Sequence, residues 1–470
     1  MEQTSTSELI YQLEDRPPVL KAIFAASQHL LASFVGIVTP SLVIGGVLGL
    51  ENYIPYLVSM ALIASGIGTF IQSYRPFGIG AGMLCVQGTS FSFLGAILGA
   101  GFLVRSQGGS DEQVISLIVS LSLVGSLVQM GLSLFIPYLT RVITPLVTGI
   151  VITTIGLSLI KVGMTDLAGG YQYPDFGNTE NLLLGLGVIA VILALSVSRN
   201  HWLRMSSIII GLFVGSLAAW LCGYWEMNLP RIETAVHLPV PFQFGFSFDG
   251  ASFVVMALIY VISSIETAGD LTANCVISRQ AVSGPGYLQR IKSGVFADGV
   301  NSLIAALCNS FPNTTFSQNS GVIQLTGIAS RYVGCYVAAG LVLLGLLPAI
   351  GSLLQQVPKP VLGGATLVMF GTIAAAGIKI ISTEQLDRRK MMIIAVAFGF
   401  GFGTALVPEL LAKTPQILQN IFSSPVAAAG LSAIVLSLLL PEPPAANQQA
   451  GEATAAKQHA AESKMETGTQ

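Results

Sequence analysis

Charge is what this chain has least of. Asp, Glu, Lys and Arg together make up 9% of its 470 residues, against about 25% in soluble globular proteins. A soluble chain of this length needs far more charge to cover its surface. The charges also nearly cancel, to a formal net of −2, which leaves no basic face for nucleic acid. Cysteine is scarce as well. Cys85, Cys222, Cys275, Cys308 and Cys335 are scattered, with no CxxC pair and no run of metal ligands. They read as small core residues, and no metal or other cofactor is expected. Residues 1–20 are polar, so no cleavable leader is expected before the first apolar run.

Apolar residues are abundant instead. They form 52% of the chain, the mean hydropathy is +0.74, and glycine occurs 51 times. This is the composition of a polytopic membrane protein with closely packed helices. Apolar runs lie near 22–44, 53–71, 82–100, 113–136, 142–163, 181–198, 205–224, 253–275, 293–310, 314–328, 332–355, 360–381, 391–408 and 421–440. A full span needs about 20 apolar residues, and about 10–14 suit a half-span. The third and tenth runs are the least regular, interrupted by Gly, Ser, Thr, Asn and Gln. With the N-terminus inside and the runs alternating, thirteen Lys and Arg fall in inside loops and four in outside loops. That bias fits an even number of spans with both termini cytoplasmic. Residues 442–470 are polar and Ala/Gln/Glu-rich, and are expected to be disordered.

Fourteen segments divide into seven and seven, and an odd number per half inverts the second half. Two correspondences support this. CVQGTSFSF around Gln87 and FSQNSGVIQ around Gln318 are both short, polar-interrupted and third in their half. Pro145-Leu146-Val147 with Gly149 resembles Pro360-Val361-Leu362 with Gly364. Paired broken segments point to a substrate site at mid-membrane, because unwound backbone is tolerated there only where it lines a cavity.

Few ionisable groups lie inside these runs, so each is informative. Glu266 and Asp270 in SSIETAGDLTAN are four apart and share a helix face. Asp298 lies in GVFADGVN, and His29 in AASQHLLASF is the one histidine inside a run. A carboxyl group so placed is costly to ionise and can carry a proton at neutral pH. Plainer roles stand beside these. Asp270 is near its segment end and can cap or pair, Asp298 can hold a broken segment in place, and His29 can be a packing residue. Gln318 and Asn319 beside Gly321 can simply break a helix. With amides, carboxyls and hydroxyls but no central Lys or Arg, the set suits a flat heterocycle with alternating N–H and C=O edges. Phe91, Phe93 and Phe316 flank the broken segments and can stack on such a ring, although packing is the plainer role for each alone. A membrane-embedded enzyme lacks support, since no nucleophile–base pair or metal site accompanies the carboxyls; a channel lacks a repeated filter sequence.

Several strings together resemble the nucleobase–ascorbate transporter family, also called nucleobase–cation symporters of the second type. QNSGVIQLTG from Gln318 to Gly327 resembles the family signature, Gln28-His29 its second marker, and ETAGDLTA and ADG its carboxylate motifs. With LEDRPP, GLSLIKVG and TGIASRYVG, the likeness runs from about Glu8 to about Leu440 and is greatest for the bacterial xanthine and uric acid permeases.

The resemblance implies an all-α fold of 14 transmembrane segments as 7+7 inverted repeats, with short strands and half-helices in segments 3 and 10. It implies a cytoplasmic segment 1–21, a core domain at 22–136 and 253–355, a gate domain at 137–225 and 356–441, and the tail 442–470. It further implies a homodimer joined through the gate domains in the bacterial cytoplasmic membrane. Glu266 then resembles the acid that binds the purine and Gln318 the amide facing its other edge, with Phe91, Ser317 and Ser90 lining the pocket. Asn319, Asp298, His29 and Asp270 would support the site or the coupling of protons. The expected activity is proton-coupled xanthine uptake, with uric acid as a further substrate because Ser90 is small. A uric-acid-selective permease, or one for uracil or another nucleobase, is the alternative; the amide at Gln318 disfavours uracil.

Overall fold

The structure is a computed structural model and describes residues 9–136, 144–170, 174–224, 236–316, 318–411, 413–422 and 424–441. The 442–470 tail and Ser317 lie outside the described residues. The chain is mostly helical. Among the described residues, eight helices are long and apolar enough to cross a membrane. They are α1 (Val19–Leu48), α2 (Ile54–Tyr74), α4 (Asp111–Ser133), α5 (Pro145–Leu167), α6 (Thr179–Ser196), α8 (Gly250–Ile277), α13 (Lys359–Ile381) and α14 (Arg388–Leu406). A ninth results if α11 (Arg331–Gly345) and α12 (Pro348–Gln355), bent by 71°, count as one. Further helices are α3 (Leu94–Ser106), α7 (Ser207–Leu221), α9 (Pro285–Leu307), α10 (Gln318–Thr326) and α15 (Pro425–Leu439), of which α9, with 23 residues, is as long as α4 and α5. The chain is therefore a multi-pass membrane protein.

Helix ends follow local chemistry. Orphan N–H groups in the first turn need an acceptor. Asp249 supplies one to Ser252 N at 2.7 Å at the start of α8, and Asp387 one to Lys390 N at 2.7 Å at the start of α14. Ser110 and Gln113 form a reciprocal capping box at α4. The far end of α1 closes on Gly49, whose φ of 67° is left-handed. Its last carbonyls would still lack donors. Arg105 provides them, donating to Leu48 O from Nη2 at 2.8 Å and from Nε at 3.0 Å, while Nη2 also pairs with Asp111 at 2.6 Å.

Two groups of helices pack side by side. In one, α2 lies against α11 and α4 against α9. In the other, α5 lies along α13, flanked by α6, α7, α14 and α15. Glycine permits the closest approach. A Cβ at Gly149 would stand 2.9 Å from the Gly377 carbonyl, and one at Gly377 would stand 2.8 Å from the Gly149 carbonyl. At Gly156 a Cβ would meet the Phe370 carbonyl at 2.7 Å. These contacts run antiparallel, and without hydrophobic drive inside a bilayer such close van der Waals packing is what holds helices together.

Where helices stop inside the protein, strands begin. β1 (Gln87–Thr89) pairs antiparallel with β2 (Asn313–Thr315), in register Gln87–Thr315, Gly88–Thr314 and Thr89–Asn313. All six residues are buried. Their peptide groups need partners, and each broken segment supplies those of the other. The pairing continues at both ends, from Ser90 N to Pro312 O and from Phe316 N to Val86 O, each 2.9 Å.

Candidate substrate site

The strand pair is fastened from behind by Asp298. Its carboxyl is fully buried and accepts from Gln72 Nε2 at 2.6 Å, Thr267 Oγ1 at 2.6 Å, Thr315 N at 3.2 Å and Thr315 Oγ1 at 3.2 Å. Those donors come from α2, α8 and β2, so one carboxyl on α9 joins three other elements. A buried carboxylate is tolerable only when so satisfied. Gln87 adds a second tie. Its amide donates to Thr315 Oγ1 at 2.9 Å and accepts from Asn301 Nδ2 at 3.2 Å.

Glu266 stands on α8 one residue before Thr267. Its Oε2 accepts from Ser92 Oγ at 2.6 Å, and Ser92 belongs to the turn Phe91–Phe93 that leads from β1 into α3. Ser90, just before that turn, is buried, and its hydroxyl has no hydrogen-bond partner. The ion pairs Arg105–Asp111, Arg331–Glu14 and Lys390–Glu384 do not include Glu266. The site offers a carboxyl group and hydroxyls, with no cation in that set.

The three aromatic candidates separate. Phe93 is fully buried and packs edge-on against Tyr260 at 4.5 Å, so it is core. Phe316 covers Gly36 and Gly88, where a Cβ would strike its ring. Phe91 reaches across to α13 and meets Phe370 edge-on at 5.7 Å.

The other expected residues divide between the site and its supports. Asn319, in the first turn of α10, donates to Leu84 O at 2.5 Å and so fastens this half-helix to the chain that leads into β1. His29 is fully buried on α1, with Asn319 as its polar neighbour. Gln318 opens α10, which puts it at the broken end. One helical turn beyond Glu266, Asp270 lines a cavity of about 660 Å³ with Thr148, Thr272, Tyr287 and Thr383. A second cavity of about 700 Å³ lies along α3 and the start of α8, at Asp249, Ser252 and Ser424. The stretch of α8 that carries Glu266 lies between the two.

Ser92, Gln72, Thr267, Thr315 and Phe370 were not among the residues read from sequence. Ser92 had a signal, since it stands in the interrupted FSF string. Gln72 and Phe370 had none, because each sits in an unbroken apolar helix.

A family model described as Permease family matches residues 20–410. The chain belongs to the nucleobase–ascorbate transporter family. It is thus a permease and not an enzyme. Among relatives, the chain is 44% identical to Xanthine permease XanP of Escherichia coli (strain K12), over 93% of this chain and 96% of that protein. It is 45% identical to Xanthine permease XanQ of the same organism, over 93% and 94%. Uric acid permease PucK of Bacillus subtilis (strain 168) is 32% identical, over 90% and 96%. In fold, this permease is similar to the transmembrane domain of the cyanobacterial bicarbonate transporter BicA, with TM-score 0.56 and 13% identity over 87% of this chain and 99% of that one. It is also similar to the murine anion transporter Slc26a9 in its inward-facing state, with TM-score 0.61 and 12% identity over 91% and 69%. At such identities the likeness concerns the fold alone.

Proposed function

We propose that this permease takes up xanthine together with protons, and accepts uric acid as a second substrate, in the bacterial cytoplasmic membrane. The observation that carries this reading is the placement of Glu266. Its carboxyl is bonded to Ser92 beside two paired broken segments, with no cation in the set. A protonated glutamate can donate to one edge of a purine and, once ionised, can only accept. Substrate and proton would then be bound and released together. The identity to XanP and XanQ supports xanthine as the substrate. The small buried Ser90 and the likeness to PucK support uric acid. One added oxygen is hard to reject without a dedicated clash.

The same reading takes the fourteen apolar runs as fourteen segments in two inverted sevens. The strand pair joins segment three to segment ten, and the α5–α13 pair joins five to twelve. Packing of α2 on α11 is mirrored by that of α9 on α4, as an inverted repeat requires. Segments one to four and eight to eleven form the core domain, which carries the substrate. Segments five to seven and twelve to fourteen form the gate domain, through which two copies pair. Glu266, Gln318, Phe91, Ser90 and Ser317 contact the purine, while Asp298, Asn319 and His29 hold them and Asp270 serves proton passage.

The test is uptake of labelled xanthine by cells expressing the protein. We expect faster uptake at acid than at alkaline external pH, abolition by an uncoupler, and competition by unlabelled urate but not uracil. Glu266→Gln keeps the shape but cannot release a proton, so its uptake should become insensitive to pH and uncoupler, or vanish. Uptake by the wild type that ignores the uncoupler would remove proton coupling, and accumulation of uracil in place of xanthine would remove the substrate.

A further inference from the structure

We propose that Leu9–Arg16 is a positioning strap for the substrate half-helix α10, setting the affinity of a site that none of its own residues touches. The inference rests on the purine-permease reading for what the site binds, but on separate observations for the strap.

α10 has nine residues and is about 13 Å long. A helix so short has little stability of its own, so its ends must be held. Asn319 holds the first end through Leu84 O. The strap holds the other. Ile10 N and Tyr11 N both donate to Gly327 O, at 2.7 and 3.2 Å. Gly327 is the residue after α10 and has φ 67°. The strap then runs parallel to the chain leaving α10. Tyr11 bridges Ile328, Ala329 N donates to Tyr11 O at 2.9 Å, and Arg331 N donates to Leu13 O at 3.0 Å. Ser330 Oγ donates to Asp15 O at 2.6 Å. Side chains repeat the attachment. Glu14 pairs with Arg331 at 2.9 Å, and the Arg16 guanidinium lies over the Tyr332 ring at 4.6 Å.

Two leucines carry the strap inward. Leu9 packs on the cluster that contains Phe316 and Ile323, at either side of the broken point of segment ten. Leu13 is 5% exposed and enters the cluster of Met83, Cys85, Ala268 and Leu271. That cluster contains the chain leading to β1 and the turn of α8 that follows Glu266. The strap therefore shares hydrophobic clusters with all three elements that carry the site. A shift of about 1 Å in such supports is enough to cost a large factor in binding or turnover.

The experiment uses the full chain purified in detergent. Equilibrium binding of xanthine is measured for wild type, Leu13→Ala, Leu13→Met, and the exposed double variant Glu14→Gln/Arg16→Gln, alongside hydrogen–deuterium exchange of the α10 amides. We expect Leu13→Ala to weaken xanthine binding about tenfold and to speed exchange across Val322–Thr326, with Leu13→Met restoring both because it keeps the volume. Should Leu13→Ala fail to accumulate, the double variant frees the strap end without opening a cavity, and the same two changes are expected at smaller size. Unchanged binding and unchanged exchange in a folded variant would overturn the proposal. If wild type itself binds no xanthine, the purine reading falls while the exchange of α10 still decides the strap.

Discussion

At the scale of single residues, Asp298 shows how a charge inside a membrane protein can be kept without a cation. Each oxygen accepts from two side-chain donors or a donor and a peptide N–H, and every donor belongs to an element that must stay in register. The consequence is asymmetric. In Asp298→Asn the threonine hydroxyls can rotate to accept from the new amide, but the Gln72 amide N–H and the Thr315 peptide N–H, one on each former carboxyl oxygen, cannot. One buried donor is then left unpaired, at about 1–3 kcal/mol. Asp298→Ala removes every acceptor at once. We expect the Asn variant to reach the membrane, unfold at lower temperature and transport slowly, and the Ala variant not to accumulate. Thermal unfolding followed by size-exclusion fluorescence distinguishes them. Equal stability of wild type and both variants would mean that the four hydrogen bonds contribute nothing to the fold.

At the scale of elements, contact between helices depends on what is missing from glycine. Gly156→Val would drive two methyl groups into the backbone of α13, where the Phe370 carbonyl already stands 2.7 Å from the position of a Cβ. Overpacking of this kind costs about 1–3 kcal/mol when side chains can yield, and more here because backbone cannot. Gly187→Val on α6, where a Cβ would meet nothing within 4 Å, is the control. We expect loss of folded yield in the first and none in the second. The same scale shows what was legible in the amino-acid order. Apolar runs mark helices because the bilayer demands a fixed length of apolar residues. The two polar-interrupted runs around Gln87 and Gln318 mark the strands, because broken backbone must be paired. What could not be read is the partner brought from elsewhere. Gln72 lies in an apolar helix and Arg105 in what reads as a loop, yet each serves an element distant in sequence. Asp270 shares the helix face of Glu266, as its spacing requires, and what the neighbouring helices add is the cavity it lines.

At the scale of the whole molecule, the division into two groups of helices carries a mechanical claim. If the group that holds the strands moves against the group built on α5 and α13, some contact between them must break in each cycle. Gly269 on α8 and Thr148 on α5 form such a contact, with a Cβ at 269 standing 3.2 Å from Thr148 Cγ2. Both residues line the cavity that contains Asp270. Cysteines at these two positions, in a background whose five native cysteines are replaced and which still transports, should form a disulfide on oxidation, since a Cβ at 269 stands 3.2 Å from Thr148 Cγ2, a γ position that a cysteine sulfur can take. We expect the oxidised pair to stop xanthine uptake while leaving equilibrium binding measurable, a reductant to restore uptake, and each single cysteine to be unaffected by the oxidant. A pair within one group should behave differently. Tyr11→Cys with Ile328→Cys joins the strap to the chain leaving α10, two parts that travel together, so its disulfide should permit transport. Full cross-linking at 148 and 269 with undiminished uptake would show that this contact does not open, and that the moving boundary lies elsewhere.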